Sequence, residues 1–254
     1  ALRRLSAPTP PPVPAPTRGG ESAAIAAEAS HCSRGCPAGA PADNEEVRHA
    51  FYSLSNNPRT KFADWVAYVV DPDFIGGIDR PRNWKADPDL RAEATLEAGD
   101  FDNVSLLGMD RGHQAPLETF SRSPDWREAN YLSNITPQDD TLNRGRWARL
   151  EKAERDLARA RDEIVYVVTG PLYESDTGVL PHADEPHRIP SGYWKVVSMR
   201  TGGAIGFIFS QQNEEGGYCS RIEDLGDIEE RSGLNLFSNA ASNPPQLDKA
   251  QLGC

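Results

Sequence analysis

Four apolar runs limit what this chain can fold into. They read "KFADWVAYVV" (61–70), "EIVYVVTG" (163–170), "YWKVVSM" (193–199) and "GAIGFIFS" (203–210). Each is short and rich in aromatic and β-branched residues, which is the signature of an interior strand. Between the first two lies "NRGRWARLEKAERDLARAR" (143–161), where strong helix formers surround Trp147, Leu150 and Leu157 on one side. A weaker helix is predicted over 222–233, ending at a glycine. Strands and helices mix without regular βαβ alternation. The expected class is therefore α+β, with a central, largely antiparallel sheet flanked by helices.

The N-terminal stretch is different. Six of the nine residues in "PTPPPVPAP" (8–16) are proline, which favours extended, unpaired backbone. Residues 1–31 are expected to be a disordered arm, and 32–254 a single domain. The chain has 254 residues, a mean hydropathy of −0.60 and no apolar run long enough to span a bilayer. Its net charge of −11 excludes a generally basic surface. It leaves room for a local basic cleft.

Four cysteines, Cys32, Cys36, Cys219 and Cys254, permit three pairings. Cys32 and Cys36 are near enough in sequence to close a small loop, and Cys219 with Cys254 would tie down the C-terminus. Reduced thiols are the alternative. Half a zinc site is another, but C-x3-C has no matching second pair. Two disulfides imply an oxidising compartment, reached through a leader that has been removed.

"MDRGHQAP" (109–116) places Asp110, Arg111, Gly112 and His113 in four consecutive positions. A lone histidine is more often structural than reactive, so the stretch needs partners. "NYLSNITPQDDTLNRGRWARLE" (130–151) offers Asn134, Asn143 and Glu151. On an ideal helix Asn143 and Glu151 would share one broad face, with Arg155 a turn beyond. Between 142 and 161 there are seven basic and three acidic residues, a local excess of four positive charges in an acidic chain. Most such helices are only solvated faces with ion pairs. A basic helix beside a histidine is also what phosphodiester chemistry requires. His31, His49, His182 and His187 have no apparent partners in the sequence. Trp65, Trp84, Trp126, Trp147 and Trp194 read as packing residues; for Trp84, beside Arg82, substrate contact is the alternative. Asn103-Val-Ser and Asn134-Ile-Thr match the glycosylation pattern, the second by coincidence if Asn134 belongs to a site.

"DRGHQAP", "NYLSNITPQ" and N-x3-W-x2-LE, taken in order, resemble the sugar-nonspecific DNA/RNA endonucleases of the ββα-metal (His-Me finger) superfamily, Serratia type. "VRHAFYSLSNNPRTKFADWVAYVV" (47–70), "RNWKADP" (82–88), "VTGPLYE" (168–174) and "IPSGYWKV" (189–196) extend the likeness from about Cys32 to Cys254. The resemblance implies a ββα-metal motif and a secreted (extracellular or periplasmic), Mg²⁺-dependent endonuclease, with Mn²⁺ as an alternative ion. It would cut DNA and RNA without sugar specificity and leave 5′-phosphate ends. It implies His113 as general base, Asn143 as the direct metal ligand and Glu151 acting on the metal through water. Arg82, Arg111 and Arg155 would meet the phosphate, while Asp110 and Asn134 would support the geometry. It further implies Cys32–Cys36 and Cys219–Cys254 disulfides, DNA and RNA as partners, no membrane association and a homodimer. The competing readings are a nucleic-acid-binding protein with weak catalysis on the same scaffold, and a DNA-selective uptake or toxin nuclease.

Overall fold

The computed structural model describes residues 31–212, 215–240 and 243–254. The proline-rich stretch and the rest of 1–30 lie outside the described residues. His31, at the end of the predicted arm, is buried and shares a 2.8 Å hydrogen bond with Ser53 Oγ through Nδ1.

Among the described residues nine strands follow in chain order: β1 (Glu45–Arg48), β2 (Tyr52–Asn57), β3 (Phe62–Val70), β4 (Met109–His113), β5 (Ile135–Asp139), β6 (Val165–Leu172), β7 (Gly192–Met199), β8 (Ala204–Ser210) and β9 (Ile222–Glu223). Seven form one sheet in the order β1-β2-β3-β6-β7-β8-β9, antiparallel at every pairing. The four apolar runs of the sequence are its central strands β3, β6, β7 and β8.

Both faces of this sheet are covered, which explains why those runs lack polar alternation. Val66, Tyr68, Val167, Tyr193 and Phe207 face one core with Trp147, Leu150 and Leu157. Trp65, Ala67, Val168, Trp194 and Val196 face the other, with Ile228 and Cys32. The period of two along each strand sorts neighbouring residues to opposite cores. It also places Lys195 on the first face, fully buried beside Trp147.

β4 and β5 form a separate antiparallel pair, with His113 opposite Ile135 and Asp110 opposite Gln138. A helical segment follows directly. Its first turn, α1 (Asp140–Leu142), is capped by Asp139, whose carboxylate accepts from Leu142 N at 2.8 Å. A π-helical turn, Asn143–Trp147, leads into α2 (Ala148–Arg161). Two strands and a helix in this order are the ββα arrangement the sequence implied. The helix is not the ideal one that was expected. Gly145 has φ −105° and ψ −105°, outside helical values, so the chain kinks there. The ideal angular count between Asn143 and Glu151 does not survive that kink. The second predicted helix is shorter than expected: α3 spans Leu225–Ser232, and Ile222–Glu223 pairs as β9 instead. Cys32 is bonded to Cys36 and Cys219 to Cys254.

Candidate active site

β4 carries the histidine motif, and its pleat sorts the side chains. Met109, Arg111 and His113 share one face; Asp110 and Gly112 share the other. Trp84 reads the first face. The Arg111 guanidinium lies 5.6 Å from its ring and the His113 ring 5.3 Å from it. The second face explains the glycine. A Cβ at position 112 would sit 2.4 Å from Gln138 Oε1 on β5, so only glycine lets the strands approach this closely.

His113 has a defined tautomer. Asn130 Nδ2 donates to Pro81 O at 3.2 Å, which turns Asn130 Oδ1 toward His113 Nε2, also at 3.2 Å. An amide oxygen only accepts, so Nε2 carries the proton and Nδ1 keeps its lone pair. Burial lowers the His113 pKa to about 4; the charge of Arg82 acts the same way, and the Asn130 bond opposes both. The ring is therefore a neutral proton acceptor at neutral pH.

Asp110 organises the next group. Arg144 grips it with two bonds, Nη2 to Oδ1 at 2.5 Å and Nε to Oδ2 at 2.8 Å. Asn143 Nδ2 donates to the same Oδ2 at 2.9 Å. Burial alone would raise the Asp110 pKa, but these bonds and the charges of Arg144 and Arg82 outweigh it and hold the carboxyl low. Because its amide nitrogen is committed to Asp110, Asn143 presents Oδ1 with no hydrogen bond to the described residues.

A cavity of about 560 Å³ collects Arg82, Trp84, Asp110, Arg111, Asn143 and Arg144 in its wall. His113, Glu151, Arg155 and Asn134 are not in that wall. His113 lies against Trp84. Asn134 is fully buried: its Oδ1 accepts from Ala115 N at 2.8 Å, and its Nδ2 donates to Ala115 O and Ala129 O at 2.9 Å. It ties the segment after His113 to the segment before β5, which is a positioning role and leaves no room for a glycan.

The family match runs over residues 31–243, to the family described as DNA/RNA non-specific endonuclease. The chain belongs to this family. It is 45% identical over 215 residues to a nuclease of Serratia marcescens, covering 82% of this chain and 80% of that protein. It is 31% identical over 233 residues to human mitochondrial nuclease EXOG, covering 83% of this chain and 60% of EXOG. A crystal structure of an EndoG/EndoGI complex superposes with a TM-score of 0.64 at 23% identity, covering 79% of this chain and 88% of that one. That likeness concerns the fold. As a member of the endonuclease family, the chain is a nuclease by lineage, a hydrolase acting on nucleic acid.

Glu151 and Arg155 lie on α2, outside the wall of the cavity. Burial pushes the Glu151 pKa up to about 7; Lys195 and Arg155 pull against it, while Glu154 and Glu118 add to the rise. Lys195 Nζ lies 3.9 Å from Glu151 Oε1, 3.2 Å from Glu154 Oε1 and 3.2 Å from Tyr68 OH. The sequence reading missed Asn130, Lys195 and Arg144. Asn130 opened a quoted motif, but its role depends on Pro81, 49 residues away. Nothing local in the sequence marks Lys195.

The histidines thought partnerless all have partners. His49 Nε2 is 2.8 Å from buried Asp87 Oδ2, which also accepts from Ser133 at 2.5 Å. His187 Nε2 accepts from Leu180 N at 2.8 Å, and Asn103 Nδ2 reaches His182 Nε2 at 3.2 Å. Among the described residues two groups of potential ligands hold their donor atoms within 4.8 Å of one another: His49, Asp87 and Asp89, and Glu97, Asp100 and Glu185. Neither includes Asn143.

Proposed function

We propose that this chain is a Mg²⁺-dependent endonuclease, with Mn²⁺ as the alternative ion, that hydrolyses DNA and RNA without sugar specificity and leaves 5′-phosphate ends. The observation that carries the reading is the His113 tautomer. A half-buried, neutral imidazole with Nε2 held by Asn130 and Nδ1 bonded to no described residue is a general base ready to act. It stands in a site whose nearby walls supply Arg82, Arg111 and an oriented amide oxygen on Asn143.

A phosphodiester is anionic and repels the nucleophile. His113 takes a proton from the attacking water at Nδ1. The new P–O bond forms as the P–O3′ bond breaks with its electron pair going to O3′, which takes a proton from solvent water to become a 3′-hydroxyl, and phosphate stays on the 5′ side. Arg82, Arg111 and Arg155 counter the charge that develops on the phosphorane oxygens. Asp110 holds Asn143 and Arg144 in place. Because these contacts address backbone rather than bases, they need not distinguish sequence or sugar.

The residues present fit a hard cation. Asn143 offers a neutral oxygen with no hydrogen bond to the described residues, and Glu151 is a largely buried carboxylate whose pKa is raised by desolvation, so a cation would favour its ionised form. Bound there, Mg²⁺ would supply charge to the phosphorane and to the departing 3′-oxygen. The two disulfides support an oxidising compartment, hence secretion. No described helix is long and apolar enough to cross a membrane. A homodimer, which rests on the resemblance, completes the proposal; the arm expected over 1–31 cannot include His31, which is buried against Ser53.

Digestion of supercoiled plasmid and of total RNA, with and without chelator, tests the reading. Mg²⁺-dependent loss of both is expected. Binding without cleavage would favour the nucleic-acid-binding alternative, and cleavage of plasmid alone would favour the DNA-selective one.

A further inference from the structure

Arg155 is buried on α2, with 5% of its side chain exposed, and is only partly satisfied. Its Nη2 donates to Glu118 Oε2 at 2.8 Å. Its Nη1 is buried without a hydrogen-bond partner among the described residues. A buried guanidinium nitrogen without an acceptor is costly, and it marks a place where an acceptor oxygen would be welcome.

Glu118 is the opposite kind of group. Its side chain is 75% exposed, and Arg155 is the hydrogen-bond partner its carboxylate has among the described residues. It lines a second cavity, of about 230 Å³, together with Asp79, Arg80 and Arg82. Arg82 also belongs to the wall of the larger cavity, so the two adjoin at that residue. An acid on a solvated stem thus occupies a buried cation at the edge of a cleft to which Arg80 and Arg82 contribute.

We propose that Glu118 is an internal substitute for a substrate phosphate. It occupies Arg155 in the free enzyme and is displaced when a phosphate of the nucleic acid enters. The inference rests on the endonuclease reading and deepens it by naming a residue that sets substrate affinity. A carboxylate and a phosphodiester both present two anionic oxygens to the guanidinium fork, so one can replace the other at the same donor. Arg155 then keeps an anion throughout, and Nη1 gains the acceptor it lacks. The exchange makes and breaks hydrogen bonds only. Its consequence is that Glu118 weakens substrate binding, because every incoming phosphate competes with it and is repelled by it.

The test is a double-mutant cycle on the full chain. Binding of a fluorescent DNA duplex is measured by anisotropy in chelator, where no cleavage occurs. Glu118→Gln keeps the shape and removes the charge, and should tighten binding about three- to tenfold. The gain should vanish when Arg155→Met is combined with it. A gain that persists in the double variant would mean general repulsion and would overturn the proposal. Weaker binding by Glu118→Gln would overturn it too, since Glu118 would then be holding Arg155 in its working position. If Arg155→Met does not fold, inorganic phosphate serves as the second probe. It should displace the duplex from Glu118→Gln at severalfold lower concentration than from wild type, and equal concentrations would overturn the proposal. Wild type that neither binds the duplex nor cuts plasmid with Mg²⁺ would sink the endonuclease reading itself. Wild type that does both, beside an unchanged Glu118→Gln, would sink this inference alone.

Discussion

Asn130 Oδ1 faces His113 Nε2 at 3.2 Å, and the other end of the same amide is anchored to Pro81 O. That orientation, and not the histidine alone, decides which ring nitrogen can accept a proton. Asn130→Ala should leave the ring but release its tautomer. We expect a rate loss of about tenfold, smaller than the roughly 10²–10⁴-fold expected of losing the base. Asn130→Asp should act differently. A carboxylate at Nε2 favours the imidazolium, so the His113 pKa rises from about 4 and the acid limb of the rate profile moves to higher pH. A single-turnover pH profile that is identical for Asn130→Asp and wild type would refute the assignment.

Glu151 should make metal affinity pH-dependent. Its pKa is pushed up to about 7, so at pH 8 the carboxylate is mostly ionised and at pH 6 mostly protonated. Binding a cation at pH 6 must release that proton, which weakens apparent affinity. The Mg²⁺ concentration giving half-maximal rate should therefore be several times higher at pH 6 than at pH 8. Glu151→Gln cannot ionise and should flatten the dependence. The His113 base should not confound the comparison, because it stays neutral at both pH values.

The central strands could be read from sequence because burial on both faces makes them apolar throughout. β4 and β5 could not. "MDRGH" and "ITPQD" are short and polar, and they serve the site more than the core. Their pairing depends on the close approach of Gly112 to Gln138, which no local pattern announces. Arg82, Asp110, Arg111 and Asn143 were named from motifs, and the fold brings them into one cavity wall. Glu118, Lys195 and Asn130 were not, because each acquires its role from a residue at least 17 positions distant. The kink at Gly145 was equally hidden, since one glycine among strong helix formers reads as a tolerated blemish.

Stability should fall in mild acid for a reason separate from the site. Burial holds the His31 pKa at about 4, against about 6.5 when unfolded. Above pH 6.5 the ring is neutral in both states and costs nothing. As pH falls toward 4 the unfolded chain takes up a proton that the folded one refuses, so stability is lost across that window. The shift caps this loss at about 3 kcal/mol. Urea titrations at pH 7 and pH 4.5 should show a smaller difference for His31→Gln than for wild type. An undiminished difference would place the acid sensitivity elsewhere.

His113 and Asn143 provide the sharpest test, because they should fail in different ways. His113→Ala removes the proton acceptor and leaves the Asn143–Asp110 pair untouched. It should lose about 10²–10⁴-fold in rate while its Mg²⁺ dependence keeps its midpoint. Asn143→Ala removes the oxygen donor and one of the bonds on Asp110, but Arg144 still holds that carboxylate with two. It should lose rate and also need more Mg²⁺ to reach its reduced maximum. Both should fold, since neither side chain belongs to a core cluster. The double variant should be little slower than the worse single one, because base and cation serve a single transition state and their contributions do not add. The measurement is single-turnover rate against Mg²⁺ concentration for all four proteins, with circular dichroism to confirm folding. A folded His113→Ala that cuts near the wild-type rate would remove the histidine from the chemistry. The Asn130–His113 bond would then be a structural tie between β4 and the segment that precedes β5.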